Sequence, residues 1–266
     1  MTDCNGRTIN YLRISVTDRC NLRCTYCMPE EGIALLDHSS ILSFDEIVSF
    51  TEIAVRKGID KVRVTGGEPL VRRGVTTLIS KLASIEGIKD LSMTTNGTLL
   101  ERYAQELKDA GLMRVNISMD TSDPERFREI TRGGDIETLF RGVDAAKKAG
   151  LTPIKINCVI ENSSEERDAQ LVAQYAQKEG LLVRYIPKMD LEHGVFGVVE
   201  GGSGGDCAKC NRLRLNPTGV LRPCLFSDIE IDIRKDGAEA AIEKALRVKP
   251  LKGGCNHSGN FYNIGG

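Results

Sequence analysis

Residues Ser43–Thr65 read SFDEIVSFTEIAVRKGIDKVRVT, and this stretch sets the architecture. Ser43, with Glu46 three residues on, forms a capping box at the start of a helix. Ile47, Phe50, Ile53 and Ala54 share one helical face, and Gly58 closes the helix. Lys61–Thr65 then reads as a strand. The same unit recurs in both directions. β-Branched runs fall at Tyr11–Val16, Lys61–Thr65, Asp90–Thr94, Met113–Ser118, Pro153–Ile160 and Leu182–Ile186, with Gly87, Gly111, Gly150 and Gly180 just before the later ones. Six strands alternating with helices predict an α/β fold with a parallel sheet and right-handed crossovers. The periodicity suits an open doubly wound sheet or a partly closed barrel equally.

The rhythm stops near Met189. Residues 194–206, GVFGVVEGGSGGD, are glycine-rich and read as a loop or linker. A short polar tail follows, with a hairpin expected around Pro217-Thr218-Gly219 and a helix near Ala238–Leu246. Two units are therefore expected, residues 1–190 and residues 191–266. The second is too small for an apolar core of its own, so it needs a metal or the main unit to fold.

With 36 Lys plus Arg against 37 Asp plus Glu, the net charge is −1, which argues against a nucleic-acid binder held by counterion release. No apolar run reaches membrane-spanning length. The N-terminus, MTDCNGRTINYLR, lacks the apolar core of an export signal, so a cytoplasmic protein is expected. Nine cysteines in a reducing compartment are metal ligands or reactive groups more often than disulfides.

Six of them form two sets. Cys20, Cys24 and Cys27 lie in CNLRCTYC, directly after the first strand. Three thiolates at this spacing can hold a four-iron cluster with one iron left open, or a zinc ion completed by a distant residue. Lys61–Leu70, KVRVTGGEPL, runs a strand into a paired-glycine turn that lets backbone approach a ligand. Cys207, Cys210 and Cys224 form the second set, which also suits a zinc ribbon completed by Cys255 or His257. Between them, Arg212 and Arg214 stand one residue apart, on one face of a strand. Arg13, Lys61, Arg63, Lys155 and Arg184 occupy alternate positions of apolar strands, and cations so placed require an anionic partner. Cys4 and Cys158 have no partner pattern, and Cys158 belongs to an apolar strand.

CNLRCTYC and the Gly66-Gly67 turn resemble the signature loop and SAM-binding strand of radical S-adenosylmethionine (SAM) enzymes. That resemblance implies a partial (β/α)6 TIM-like barrel, with a small C-terminal iron–sulfur subdomain. SVTDRCNLRCTYCMP, RVTGGEPL, TTNG, CNRLRLNPTG and the terminal IGG are similar to the GTP 3′,8-cyclase family of molybdenum-cofactor biosynthesis, over nearly the whole chain. The family implies a lyase with two [4Fe-4S] clusters, one on Cys20, Cys24 and Cys27 and one on Cys207, Cys210 and Cys224. It implies a SAM site of Tyr26, Gly66, Gly67, Glu68, Ser118 and Met189. It implies a GTP site of Arg13, Lys61, Arg63 and Thr94 on early strands, with Lys155, Arg184, Arg212 and Arg214 on later ones. The closing Gly265 and Gly266 match a tail that reaches the active site. An electron donor, a downstream pterin-forming synthase and a homodimer follow as partners; nucleic acid and membrane do not.

This chain departs from the family around the second set. Only 17 residues separate Met189 from Cys207, where family members carry several tens more. The tail adds Cys255 and His257, and Cys255 as a fourth ligand would close the second cluster to substrate. The alternative function is a related radical SAM enzyme acting on another nucleotide or a peptide; a non-enzymatic metal-binding module explains the strand cations poorly.

Overall fold

The capping box forms as expected: the Ser43 hydroxyl accepts from the Glu46 N–H at 3.2 Å, and the Glu46 carboxylate from the Ser43 N–H at 2.7 Å. It opens helix α1 (Phe44–Arg56), whose buried face includes Ile47, Phe50 and Ala54. The computed structural model describes residues 1–258 and 261–264. The six expected runs hold β1 (Tyr11–Ser15), β2 (Lys61–Thr65), β3 (Asp90–Thr95), β4 (Arg114–Ser118), β5 (Lys155–Ile160) and β6 (Leu182–Pro187). Between them lie α2 (Val75–Ala83), α3 (Leu100–Asp109), α4 (Pro124–Thr131), α5 (Ile136–Lys148) and α6 (Arg167–Glu179).

The tail adds β7 (Arg212–Leu215), β8 (Val220–Arg222) and β9 (Ile231–Asp232), then α7 (Ile233–Asp236) and α8 (Ala238–Arg247). The expected hairpin is β7–β8, and Asn216 fixes its turn by accepting from the Thr218 and Val220 N–H groups at 3.0 and 2.7 Å. One sheet holds every strand in the order β6-β5-β4-β3-β2-β1-β7-β8-β9. β7 lies parallel to β1, so the tail extends the main sheet instead of building a separate one.

Strand parity sorts the side chains. Leu12, Ile14, Val62, Val64, Leu91 and Met93 are fully buried in the core shared with the helices, as is Cys158. The opposite parity carries Tyr11, Arg13, Lys61, Arg63, Arg212 and Arg214, which face an interior cavity. Asp90, Arg114, Asn157 and Arg184, from β3 to β6, line the same cavity. Seven successive strands can face one space only if the sheet curls, which makes it a partial barrel.

The glycine-rich segment spans the interval between β6 and β7. Glu200 and Tyr185 exchange backbone hydrogen bonds at 3.1 Å, and the Ser203 carbonyl accepts from Arg212 Nη2 at 2.9 Å. The segment is a loop, as its composition indicates, but its place in the fold is a wall of the barrel. Its glycines permit close packing: a β-carbon on Gly205, at φ 77°, would stand 1.8 Å from the Gly197 carbonyl oxygen. Among the described residues no helix is long and apolar enough to cross a membrane.

Candidate active site

The first cysteine loop leaves β1 and is pinned from outside by the end of α4. The Arg23 and Thr25 N–H groups donate to the carbonyls of Thr131 and Ile130, and Arg132 Nη1 donates to the carbonyls of Arg23 and Met28. Cys20, Cys24 and Cys27 are all free and half-buried. Burial pushes the Cys24 thiol up to about 12, with Asp120 and its neighbouring cysteines adding to the effect; burial and Cys20 do the same to Cys27. Thiols crowded in this way gain from a cationic centre that lets them ionise, so the donor set fits an iron–sulfur cluster. Among the described residues no three His, Cys, Asp or Glu side chains form a ready set for one metal ion.

Behind this loop sits the paired-glycine turn. The Gly67 and Glu68 N–H groups donate to the Thr17 and Arg19 carbonyls at 2.7 and 2.8 Å. The Glu68 carboxylate is buried and accepts from the Leu70 N–H, the Thr95 hydroxyl and the Asn96 N–H. Burial raises it to about 7 against those three donors. It therefore ties the turn to the end of β3. Tyr26 donates to Asp120 at 2.7 Å, and the second Asp120 oxygen accepts from the Val159 N–H. Ser118 is half-buried at the end of β4. Tyr26, Cys27 and Met189 border a cleft of about 770 Å³. Met189 also lines the interior cavity of about 320 Å³, so it stands where the two spaces meet.

The cavity is strongly cationic. Strand register sets Arg63, Arg13 and Arg214 side by side on β2, β1 and β7, with Lys61, Tyr11 and Arg212 in the row next to them. Neighbouring strands are about 4.8 Å apart, so three guanidinium stems stand in one rank. Lys61, Arg114, Arg184 and Arg212 join them, giving seven cations on the wall against Asp90 and Asp206. Asp90 is engaged by Arg114 in a two-pronged pair at 2.6 and 3.0 Å. Burial holds Arg13, Arg63 and Arg184 below the usual arginine range, and burial with Arg212 brings Arg214 to about 10. Lys155 lies beside this group and is lowered by burial and by Arg184. Among the described residues, Tyr11 Oη, Thr94 Oγ1 and Arg184 Nε are buried without a hydrogen-bond partner. Orphaned polar atoms and massed cations together mark a site for a polyanion with further polar edges.

Cys207, Cys210 and Cys224 open into the same cavity. Burial acts to raise Cys210, but Lys249, Arg212 and Arg214 outweigh it and bring the thiol to about 7. Burial raises Cys224. A thiol ready to ionise beside cations suits a second cluster. Cys255 is exposed and does not line the cavity.

The fold thus gathers Arg13, Lys61, Arg63, Arg184, Arg212 and Arg214 with the second cysteine set, and groups Tyr26 and Cys27 at the cleft. Gly265 and Gly266 lie outside the described residues. Tyr11, Asp90, Arg114 and Asn157 join the cavity wall although sequence reasoning passed them over; their strand parity, matching that of Arg13 and Arg63, is the signal that finds them.

Residues 14–173 match the family model of the radical SAM superfamily. The chain is 41% identical to the GTP 3′,8-cyclase of Thermodesulfovibrio yellowstonii over 298 residues, covering 95% of this chain and 92% of that protein. It is 38% identical to the GTP 3′,8-cyclase of Petrotoga mobilis, covering 98% and 95%. The first alignment is longer than the matched part of this chain by about 45 positions, in keeping with a shortened form. Among solved structures, anSMEcpe with bound AdoMet is similar at a TM-score of 0.62 and 17% identity, covering 96% of this chain and 90% of that one. Streptococcus suis SuiB bound to S-adenosylmethionine is similar at 0.55 and 16% identity, covering 69% and 41%. These likenesses establish the shared fold.

Proposed function

The chain belongs to the radical SAM superfamily and, within it, to the GTP 3′,8-cyclase family, and from that premise we propose that it joins ribose C3′ to guanine C8 of GTP in molybdenum-cofactor biosynthesis. The observation that carries this is the rank of Arg63, Arg13 and Arg214 facing a cavity that also holds Cys207, Cys210 and Cys224. Like charges in register are costly until an anion arrives, and a nucleoside triphosphate brings several negative charges with a polar base edge.

Cys20, Cys24 and Cys27 would hold one four-iron cluster, and Cys207, Cys210 and Cys224 a second. When bound, the first cluster and SAM supply one-electron chemistry that produces a carbon radical, fed by an external electron donor. The protein's share is binding and alignment. The Gly66-Gly67 turn offers backbone to SAM, Tyr26 and Ser118 border it, and Met189 separates SAM from substrate. Arg13, Lys61, Arg63 and Arg184 hold phosphates from β1, β2 and β6, with Lys155 adding charge from β5, while Thr94 and Tyr11 offer hydroxyls. Arg212 and Arg214 fix the nucleotide against the second set. The loop around Gly197–Gly205 keeps water from the open side.

Anaerobic turnover with GTP, SAM and a reductant, followed by mass spectrometry, tests the reading. Cyclised nucleotide and 5′-deoxyadenosine should appear together. Cys24→Ala should abolish both products, whereas Cys210→Ala should keep slow SAM cleavage and lose the cyclised nucleotide. Cleavage that persists in Cys24→Ala overturns the cluster assignment.

A further inference from the structure

Beneath the second cysteine set lies a lysine that no motif announces. Lys249 follows α8 and is 2% exposed. Its ammonium donates to the Arg212 carbonyl at 2.8 Å and to the Pro223 carbonyl. Arg212 stands two residues after Cys210, and Pro223 immediately precedes Cys224. One side chain therefore ties together the two segments that carry these thiols.

A second cation acts beside it. Arg7 donates to the Cys207 carbonyl at 2.8 Å and to the Pro250 and Leu251 carbonyls at 2.7 and 3.1 Å. Asp3, buried, holds Arg7 at 2.7 Å. Asn5 Nδ2 donates to the carbonyl of Lys249 itself at 2.8 Å. Residues 3–7 and 249–251 thus form one brace that reaches the backbone of all three cysteine segments.

The two cations differ in one respect. Arg7 has Asp3 as its counter-charge, whereas among the described residues no carboxylate pairs with Lys249, whose ammonium meets the Arg212 and Pro223 carbonyls beside Cys210 and Cys224. Burying an ammonium on carbonyls alone is costly. A cluster bound by three thiolates carries net negative charge and relieves that cost. In return, positive charge and hydrogen bonding around a cluster favour its reduced form.

We propose that Lys249 is a positioning residue for the second cluster, clamping the Cys210 and Cys224 segments and supplying the charge that raises that cluster's reduction potential. The proposal rests on the two-cluster reading above, and the experiment separates the two. Lys249→Gln keeps a donor and removes the charge; Lys249→Arg keeps both. Iron analysis of the reconstituted parent comes first: about eight irons per chain is the two-cluster state, and about four refutes that reading whatever Lys249 does. Anaerobic redox titration followed by EPR then reports each cluster separately. In Lys249→Gln the second cluster's reduction equilibrium should shift about tenfold toward the oxidised form, about 59 mV for one electron, or that cluster alone should lose its iron. The first cluster's signal should be unchanged, and Lys249→Arg should restore the second. Parent-like potential and iron content in Lys249→Gln overturn the proposal. So does joint loss of both clusters in the Gln and Arg variants alike, which marks a lysine needed only for folding.

Discussion

The carbonyl oxygen of Arg19 lies 2.2 Å from the point a β-carbon on Gly67 would occupy. The cysteine loop and the paired-glycine turn are therefore in direct backbone contact, and glycine is required by space. Gly67→Ala should push the two apart and disturb Cys20 with them. Iron at the first cluster and 5′-deoxyadenosine formation should both fall at least tenfold. Gly254→Ala, where a β-carbon meets nothing within 4 Å, should leave both unchanged. A fully active Gly67→Ala protein would show that the loop can retreat without cost.

Tyr11 presents a buried hydroxyl with no partner, and its ring lies under Arg63 at 5.4 Å. Tyr11→Phe keeps the ring and removes the hydroxyl. GTP binding, measured by calorimetry, should weaken by about 1 kcal/mol, the worth of one net hydrogen bond. Thermal stability without ligand should hold or rise slightly, because an unsatisfied group has been removed. Equal GTP affinity in the two proteins would rule the hydroxyl out of the binding site.

Arg212 and Arg214 should each contribute about 1.5–3 kcal/mol to nucleotide binding as charge-assisted donors in a desolvated site. Either Arg→Ala change should then weaken GTP about tenfold to a hundredfold. Lysine at the same positions retains charge without the planar fork and should rescue only part of the loss. If the double Ala variant binds GTP like the parent, the substrate is a different molecule.

Thiol reactivity should divide the cysteines in cluster-free protein. Cys210 sits at about 7, whereas Cys24 and Cys27 sit at about 12. A lowered thiol gains its reactive anion as pH rises through that value. Iodoacetamide labelling of Cys210, mapped by mass spectrometry, should climb between pH 6 and 8 while Cys24 and Cys27 stay slow. Similar rates at all three sites would contradict the cationic setting of Cys210.

Repeating local chemistry was legible in the sequence. Capping at Ser43, glycine just after α1, α3, α5 and α6, and alternating parity at Lys61–Thr65 are all decided within a few residues, so strand positions and inward cations could be read directly. The cysteine spacings were legible for the same reason. The partners of Lys249 were not. A lone lysine in a polar tail looks solvated, and the pairing of β7 with β8, Arg214 opposite Arg222, is what sets the Arg212 and Pro223 carbonyls together where Lys249 meets both. The glycine-rich stretch concealed its position similarly, because it has no periodicity and its neighbours Tyr185 and Arg212 are set by tertiary structure. Asp90 and Arg114 meet across strands 24 residues apart, a distance that local patterns do not span.

The closing wall of the barrel is held by Glu200 on Tyr185 and Ser203 on Arg212, and ahead of them Asp190 and Val195 exchange backbone hydrogen bonds at 2.9 Å. Glu192 and His193 sit in an exposed turn ahead of both anchors, and doubling a loop's length costs only about 0.6 kcal/mol. A short foreign peptide grafted at that turn would enter beside the cleft that Glu192 lines, while the interior chamber, which neither residue lines, keeps its dimensions.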